Sequence, residues 1–213
     1  TLRVDVEGTT VGQVNGLAVT SAGPLTYGFP SRITASIGPG SAGAVNIERE
    51  SSLSGSVHTK GFLILSGLLR YLLKLDHPMA FSASIAFEQT YGGIDGDSAS
   101  GAEFCCLISA LTGLAMRQDL AMTGAIDQKG NILPIGGVTE KVEGFFDACQ
   151  AVNFTGTQGV VIPRANAGEL MLREDVVAAI EQNTFSIYAI DSIAEAMHIF
   201  MGKPAGELHD EDY

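Results

Sequence analysis

The spacing of the apolar residues changes repeatedly along this chain, and no other feature limits its fold as strongly. Over residues 79–88 the apolar side chains alternate as in a strand, from Phe81 to Phe87. Over residues 98–112 they recur every three or four positions, from Phe104 to Leu111, as on one face of a helix. The pattern therefore predicts a fold that contains both strands and helices.

The rest of the chain predicts further elements of both kinds. The first 50 residues are rich in Gly, Ser and β-branched residues, with a turn signal at Gly23-Pro24, and they predict hairpins. Residues 59–75 are apolar on most sides and predict a buried helix.

The C-terminal half alternates strands and helices. Gly113 is the expected end of the helix over 98–112. We expect strands over 120–126, 132–135, 159–163 and 185–190, a helix after Gly136-Gly137, a helix over 173–182, and a last helix opened by a capping box. That box consists of Ser192 and Glu195.

Composition limits the classes of function. The chain has 213 residues, 46% of them hydrophobic, so we expect one domain over 1–205 and a solvated acidic tail over 206–213. Its formal net charge of -12 argues against nucleic acid as a partner. No apolar stretch is long enough to span a membrane, and three cysteines without metal-ligand spacing fit a soluble protein in a reducing cytoplasm. Because the chain lacks a starting Met, Thr1 is expected to begin a fragment of a longer protein.

Missing motifs narrow the field further. The chain has neither a Gly-x-x-x-x-Gly-Lys-Ser/Thr phosphate loop nor a Gly-x-Gly-x-x-Gly motif after a strand. The four histidines are scattered, without a His-Glu-x-x-His pattern. These absences argue against a nucleotide site and against a metal hydrolase in this chain.

The Gly-rich segment 92–101 carries the candidate nucleophile. It places Ser98 where a tight turn enters a helix, with Asp97 as the expected N-cap. The free backbone N–H groups at such a helix start could stabilise the oxyanion that forms when the hydroxyl attacks a carbonyl. Alternatively, Ser98 and Ser100 simply occupy the first turn of an ordinary helix.

A serine nucleophile needs a base, and Lys141 is the main candidate. It lies in the first turn of the helix after Gly136-Gly137, where burial and the helix dipole would lower the pKa of its amine and make the neutral form available. The alternative is a lysine whose ammonium group reaches water. His58 is a second candidate base, without a supporting pattern around it.

Two further side chains have candidate supporting roles. Thr123 follows an apolar strand, and its hydroxyl could hold the lysine amine in place. Asp97 could pair with Lys141, which would keep the lysine charged and inactive, or it could only cap its helix.

Three motifs, taken in order, resemble the proteolytic domain of Lon proteases. They are Asp-Gly-Asp-Ser-Ala-Ser at 95–100, Met-Thr-Gly at 122–124 and Leu-Pro-Ile-Gly-Gly-Val-Thr-Glu-Lys at 133–141. Ser98 and Lys141 are 43 residues apart, as in the Ser-Lys dyad of that family. The form Gly-Asp-Ser-Ala-Ser is similar to the archaeal branch and its bacterial relatives, and the resemblance covers nearly the whole chain.

The resemblance implies an α+β fold with several twisted β-sheets and flanking helices. It implies a serine endopeptidase that hydrolyses peptide bonds of unfolded polypeptides, with Ser98 as nucleophile, Lys141 as base and Thr123 orienting the base. Substrate would add as an extended strand along a sheet edge, for which the segment with Phe87 and Glu88 is the candidate.

The resemblance also implies partners outside this chain. No cofactor is expected within it, because ATP and Mg²⁺ would act on an upstream ATPase domain that is absent here, and the protein would assemble as a homo-hexameric ring. Two other interpretations remain open: a catalytically inactive Lon-like module for assembly or interaction, and a serine hydrolase that uses His58 as its base.

Overall fold

A computed structural model describes residues 4–39, 45–50, 81–88 and 97–202, with the backbone alone for 45–50 and Phe81. Several sequence predictions lie outside these residues: the buried helix over 59–75, His58, the acidic turn before Asp97 and the tail over 206–213. They stay predictions.

A mixed seven-stranded sheet forms the centre of the domain. The strands are β1 (Thr9–Thr10), β2 (Gln13–Ala22), β3 (Leu25–Pro39), β4 (Val45–Glu50), β5 (Phe81–Glu88), β6 (Met116–Arg117), β7 (Leu120–Met122), β8 (Ala125–Ile126), β9 (Ile132–Leu133), β10 (Gln158–Pro163) and β11 (Phe185–Ile190). The order in the large sheet is β11-β10-β7-β2-β3-β5-β4, and β1–β6 and β8–β9 form two small antiparallel sheets.

The direction of pairing changes across the large sheet. Strand β3 is antiparallel to both of its neighbours, β2 and β5, whereas β11–β10, β10–β7, β7–β2 and β5–β4 are parallel pairs. The predicted N-terminal hairpin is confirmed: β2 and β3 are joined by Gly23-Pro24, and Gly23 has a φ of 62°, which suits glycine.

Helices cover both faces of this sheet. They are α1 (Ser100–Thr112), α2 (Val138–Val152), α3 (Glu174–Glu181) and α4 (Ile193–Met201), together with a 3₁₀ helix over Arg164–Glu169. Met122 packs in one core cluster with Phe104 of α1, and its neighbour Ala121 packs in a second cluster with Phe145 of α2. Adjacent residues of β7 thus face opposite layers, and the expected α+β fold is confirmed.

Within the described residues, the helix predictions are confirmed apart from one start. Helix α2 buries Val142, Phe145, Phe146 and Cys149, and α4 begins with the predicted capping box of Ser192 and Glu195. Helix α1 ends at Gly113 in the left-handed conformation, as expected. None of the helices in the described part of the chain has the length and apolar character needed to cross a bilayer.

The prediction that Asp97 is the N-cap of α1 is wrong. The cap is Ala99, which makes no side-chain capping bond, and residues 97–99 form a turn. Asp97 contributes its backbone carbonyl, which accepts a hydrogen bond from the Ser100 N–H at 2.9 Å. The turn therefore delays the helix by two residues relative to the apolar pattern.

The predicted strand over 120–126 is divided in two. Its first part, β7, belongs to the large sheet, and its second part, β8, pairs with β9 in a separate two-stranded sheet. Thr123 and Gly124 lie at the break between them.

Helix α2 lies directly on the backbone of β3. A Cβ atom added to Gly28 would lie 2.7 Å from the Cα of Lys141, and one added to Gly144 would lie 2.9 Å from the Cα of Gly28 and overlap its carbonyl group. This approach requires glycine at both positions, because real Cβ atoms do not come so close to backbone atoms.

We expect Gly144→Ala to destabilise the domain by ~1–3 kcal/mol, because the added methyl group overpacks the contact with Gly28. The direction of the change in the free energy of unfolding decides the matter, since Gly→Ala in an unobstructed helix stabilises by ~1 kcal/mol. Gly168→Ala is the control, because a Cβ there meets nothing within 4 Å. Urea denaturation measures both variants, and an unchanged or raised free energy of unfolding for Gly144→Ala would contradict the close approach.

Candidate active site

Ser98 lies in the turn that leads into α1 and is partly accessible. Its carbonyl accepts a hydrogen bond from the Gly124 N–H at 2.9 Å, and the Gly124 carbonyl in turn accepts one from the Gly101 N–H at 3.0 Å. This reciprocal pairing joins the start of α1 to the break between β7 and β8. It brings the backbone of Ser98 beside Thr123, although the two residues are 25 positions apart in sequence.

The two serines at this helix start differ in their environment. Ser100 is buried, and its Oγ accepts a hydrogen bond from the Ile126 N–H at 3.0 Å. That bond gives Ser100 a structural role, because it ties α1 to β8. Ser98 is the more accessible of the two and is therefore the better candidate for a nucleophile.

Two backbone N–H groups at the turn have no acceptor among the residues that the structure describes. The Ser100 and Gly101 N–H groups donate to Asp97 and Gly124, whereas those of Ser98 and Ala99 have no acceptor within the described part of the chain. Backbone donors of this kind can stabilise a negatively charged oxygen.

Thr123 is buried at the end of β7. Its N–H donates to the Val161 carbonyl of β10 at 3.0 Å, while its Oγ1 has no hydrogen-bond partner among the described residues. An unpaired buried hydroxyl costs ~1–3 kcal/mol, so this group would gain from a polar partner. Thr123 directly follows β7, in which Ala121 packs in the layer of α2.

Lys141 lies one turn into α2, and only 4% of it is exposed. Its N–H donates to the Gly137 carbonyl at 3.0 Å, and its Cα lies against β3 at Gly28. The alternative of a lysine that extends into water is excluded by this burial. Lys141 thus belongs to the layer on the same side of the sheet as Ala121.

Comparison with known proteins identifies the domain. The family model described as Lon protease (S16) C-terminal proteolytic domain matches residues 3–203. This chain belongs to that family.

The Lon domain is similar to bacterial and archaeal proteins. It is 43% identical over 211 residues to a Lon protease homolog of Haemophilus influenzae, covering 98% of this chain and 35% of that protein. It is 42% identical over 202 residues to a Lon protease homolog of Escherichia coli K12, covering 94% and 34%. It is 31% identical over 196 residues to an archaeal Lon protease of Thermococcus kodakarensis, covering 92% and 28%. The chain therefore spans about a third of the length of the curated relatives it matches.

The segment expected to bind substrate is not an edge strand over most of its length. Strand β5 of the Lon domain lies between β3 and β4, and β4 pairs with its residues Phe81–Ala86. The expectation of a free sheet edge is therefore wrong for that stretch. Phe87 is buried, whereas the exposed Glu88 forms an ion pair with Arg32 at 3.5 Å. A substrate contact at Phe87 and Glu88 stays a prediction.

Sequence reasoning missed Asn166, which contacts the segment that leads to Lys141. Asn166 is 1% exposed in the 3₁₀ helix after β10, and its side-chain amide bonds both backbone groups of Ile135 at 2.9 Å. Only the buried position of an asparagine, which spacing does not reveal, could have indicated it.

The three cysteines of the Lon domain are free, buried thiols. Burial raises the pKa of Cys105 and that of Cys149 to about 12. Burial, and then the nearby Cys105 and Glu103, also raises the pKa of Cys106. The residues that the structure describes include no cluster of His, Cys, Asp or Glu suited to a metal ion.

We expect these thiols to resist iodoacetamide in the native domain at pH 8. With a pKa of about 12, only ~10⁻⁴ of each Cys105 or Cys149 thiol is ionised, whereas an unfolded cysteine with a pKa of ~8.5 is partly thiolate. Mass spectrometry should find no label on the native domain and three labels after denaturation in guanidinium. Native labelling at the rate of a free cysteine would contradict the assigned burial.

Proposed function

We propose that this Lon domain is a serine endopeptidase that cleaves unfolded polypeptides with Ser98 as nucleophile and Lys141 as general base. The observation that carries the proposal is the burial of Lys141 in the layer that also contains Ala121 of β7. The backbone pairing between Ser98 and Gly124 ties the candidate nucleophile to the end of the same strand. A buried amine favours its neutral form, which a proton acceptor requires.

The acylation step transfers one proton and forms one ester. The Oγ of Ser98 attacks the carbonyl carbon of the scissile bond while its proton passes to the Nζ of Lys141. The tetrahedral intermediate then collapses, the C–N bond breaks, and the Lys141 ammonium returns the proton to the departing amine. The product is an acyl ester on Ser98 and a free peptide amine.

The second step hydrolyses this ester. Lys141 accepts a proton from water as the water oxygen attacks the ester carbonyl, and it then returns a proton to the Oγ of Ser98. In both steps the N–H groups of Ser98 and Ala99 are the proposed donors to the oxyanion, and each such donor is typically worth ~10²–10³ in rate. The hydroxyl of Thr123 would accept a hydrogen bond from the Lys141 amine and orient it, while Asp97 supplies the turn that presents Ser98.

The partners of the whole protein follow from the family and are part of the proposal. The three relatives named above, one of them an archaeal Lon protease, are each about three times as long as this chain. We propose an upstream ATPase domain that binds ATP and Mg²⁺, a homo-hexameric ring, unfolded proteins as substrates and a cytoplasmic location. The net charge of -12 disfavours nucleic acid as a partner of this domain.

Ser98→Ala should abolish hydrolysis of a fluorogenic peptide, and Lys141→Ala should lower kcat by ~10²–10⁴-fold, because each removes one partner of the proton transfer. Lys141→Arg should stay inactive, since a guanidinium remains charged and cannot accept a proton. Lys129→Ala is the matched control, because Lys129 is exposed in a turn. Circular dichroism checks that each variant is folded.

Other outcomes would select another interpretation. Full activity of folded Ser98→Ala or Lys141→Ala would exclude the dyad, and loss of activity in His58→Ala would favour a histidine base instead. A wild-type domain that neither cleaves peptides nor reacts at Ser98 with an acylating reagent would be the inactive assembly module.

The chain on its own should digest an unstructured protein and leave a stable globular protein intact, with or without ATP, because its sequence has no phosphate-loop motif that could bind ATP. The test uses one globular protein in its native form and a destabilised, unfolded variant of the same protein. Gel electrophoresis compares how fast the two are digested. Rapid ATP-dependent digestion of the native form would contradict the proposal that substrate unfolding requires a separate ATPase domain.

A further inference from the structure

The segment that leads into α2 has little support of its own. Strand β9 ends at Leu133, and residues 134–137 belong to neither a helix nor a strand. The helix then starts at Gly137, which has a φ of 68° and provides no side-chain cap. Lys141 follows four residues later, so its position depends on this segment as well as on the packing of α2 against β3.

Among the described residues, the side chain that forms hydrogen bonds with this segment is that of Asn166. The Oδ1 of Asn166 accepts a hydrogen bond from the Ile135 N–H, and the Nδ2 of Asn166 donates one to the Ile135 carbonyl, both at 2.9 Å. The amide thus bonds Ile135 as a neighbouring strand would. The second hydrogen of Nδ2 goes to the Oε2 of Glu169, also at 2.9 Å, which fixes the orientation of the amide.

Asn166 is in turn anchored to the central sheet. It lies three residues after β10, which pairs with β11 on one side and with β7 on the other. The same strand β10 accepts the N–H of Thr123 at Val161. One strand therefore carries both the contact to Thr123 and, through Asn166, the contact to the segment before Lys141.

We propose that Asn166 is a positioning residue that sets the place of the Lys141 amine through its two hydrogen bonds to Ile135. This inference rests on the proposed peptidase function. Proton transfer between Ser98 and Lys141 depends steeply on geometry, and a misplacement of ~1 Å can lower a rate ~10²-fold even when its origin lies away from the chemistry.

The role requires a side chain that both donates and accepts at this length. Aspartate could accept from the Ile135 N–H but would oppose its carbonyl oxygen, and it would also face the carboxylate of Glu169. Alanine would leave both groups of Ile135 without this partner. Both substitutions are expected to loosen the start of α2 while leaving Ser98 and Lys141 chemically intact.

Gln158, the first residue of β10, offers a matched control because it contacts the other end of the same helix. It is also fully buried, and its amide donates to the carbonyls of Val6 and Asn153 at 2.9 and 2.8 Å and accepts from the Thr155 N–H. Asn153 follows the C-terminal end of α2, the end away from Lys141. Gln158→Ala therefore removes a comparable clamp without touching the start of the helix.

The experiment compares Asn166→Ala, Asn166→Asp and Gln158→Ala in the full chain by peptide kinetics from pH 6 to pH 10, by thermal unfolding and by amide hydrogen exchange. We expect both Asn166 variants to lower kcat at least ~10-fold with KM changed less than ~3-fold, to shift the pH profile of kcat, and to speed exchange of the Ile135 amide at least ~10-fold. Gln158→Ala should lower the Tm and keep kcat within ~2-fold of wild type. If Asn166→Ala does not fold, Asn166→Asp is judged by the same criteria.

Two results would overturn the inference. One is an Asn166 variant with kcat and pH profile like the wild type. The other is a loss of kcat in Gln158→Ala equal to that in Asn166→Ala and proportional to the loss of Tm, since this would make both clamps merely structural. Failure of the peptidase proposal is distinct, because Lys141→Ala would then be as active as wild type, and Ile135 exchange would still test the clamp.

Discussion

The pairing of a three-residue strand at the centre of the sheet organises the proposed active site. Strand β7 is fully buried, and it bonds to β2 through Ala121 and Met122 and to β10 through all three of its residues. Where it ends, the chain exchanges backbone hydrogen bonds with the turn that carries Ser98. A strand held on both sides cannot shift its register without exposing buried side chains, so the position of this turn relative to the sheet is firmly set.

The second constraint is the approach of α2 to the sheet. The contact between Gly28 and Gly144 lets the helix backbone rest on β3, and it carries Lys141 into a layer of apolar side chains. The same packing that supports the domain thus keeps the proposed base away from bulk water.

The sequence predicted the elements whose signals are local. The capping box of Ser192 and Glu195, the C-cap at Gly113 and the apolar spacing of α2 are all visible within a few residues of sequence, and the structure confirms them. The start of α1 was misplaced because Asp97 belongs to a turn bonded to Gly124, a contact outside any local window. The division of the strand over 120–126 and the interior position of β5 were missed for the same reason, since each depends on which distant strand pairs beside it.

For the candidate site, the order and spacing of the motifs were enough to select Ser98, Thr123 and Lys141 and to indicate the Lon family. They could not decide between a buried lysine and one that reaches water, or reveal the amide of Asn166 behind Ile135. Residue type and spacing show which secondary structure a segment prefers and which reactions its side chains can perform. Burial and hydrogen-bond partners are settled only when remote segments pack together, because the free energy of desolvation depends on every neighbour that displaces water.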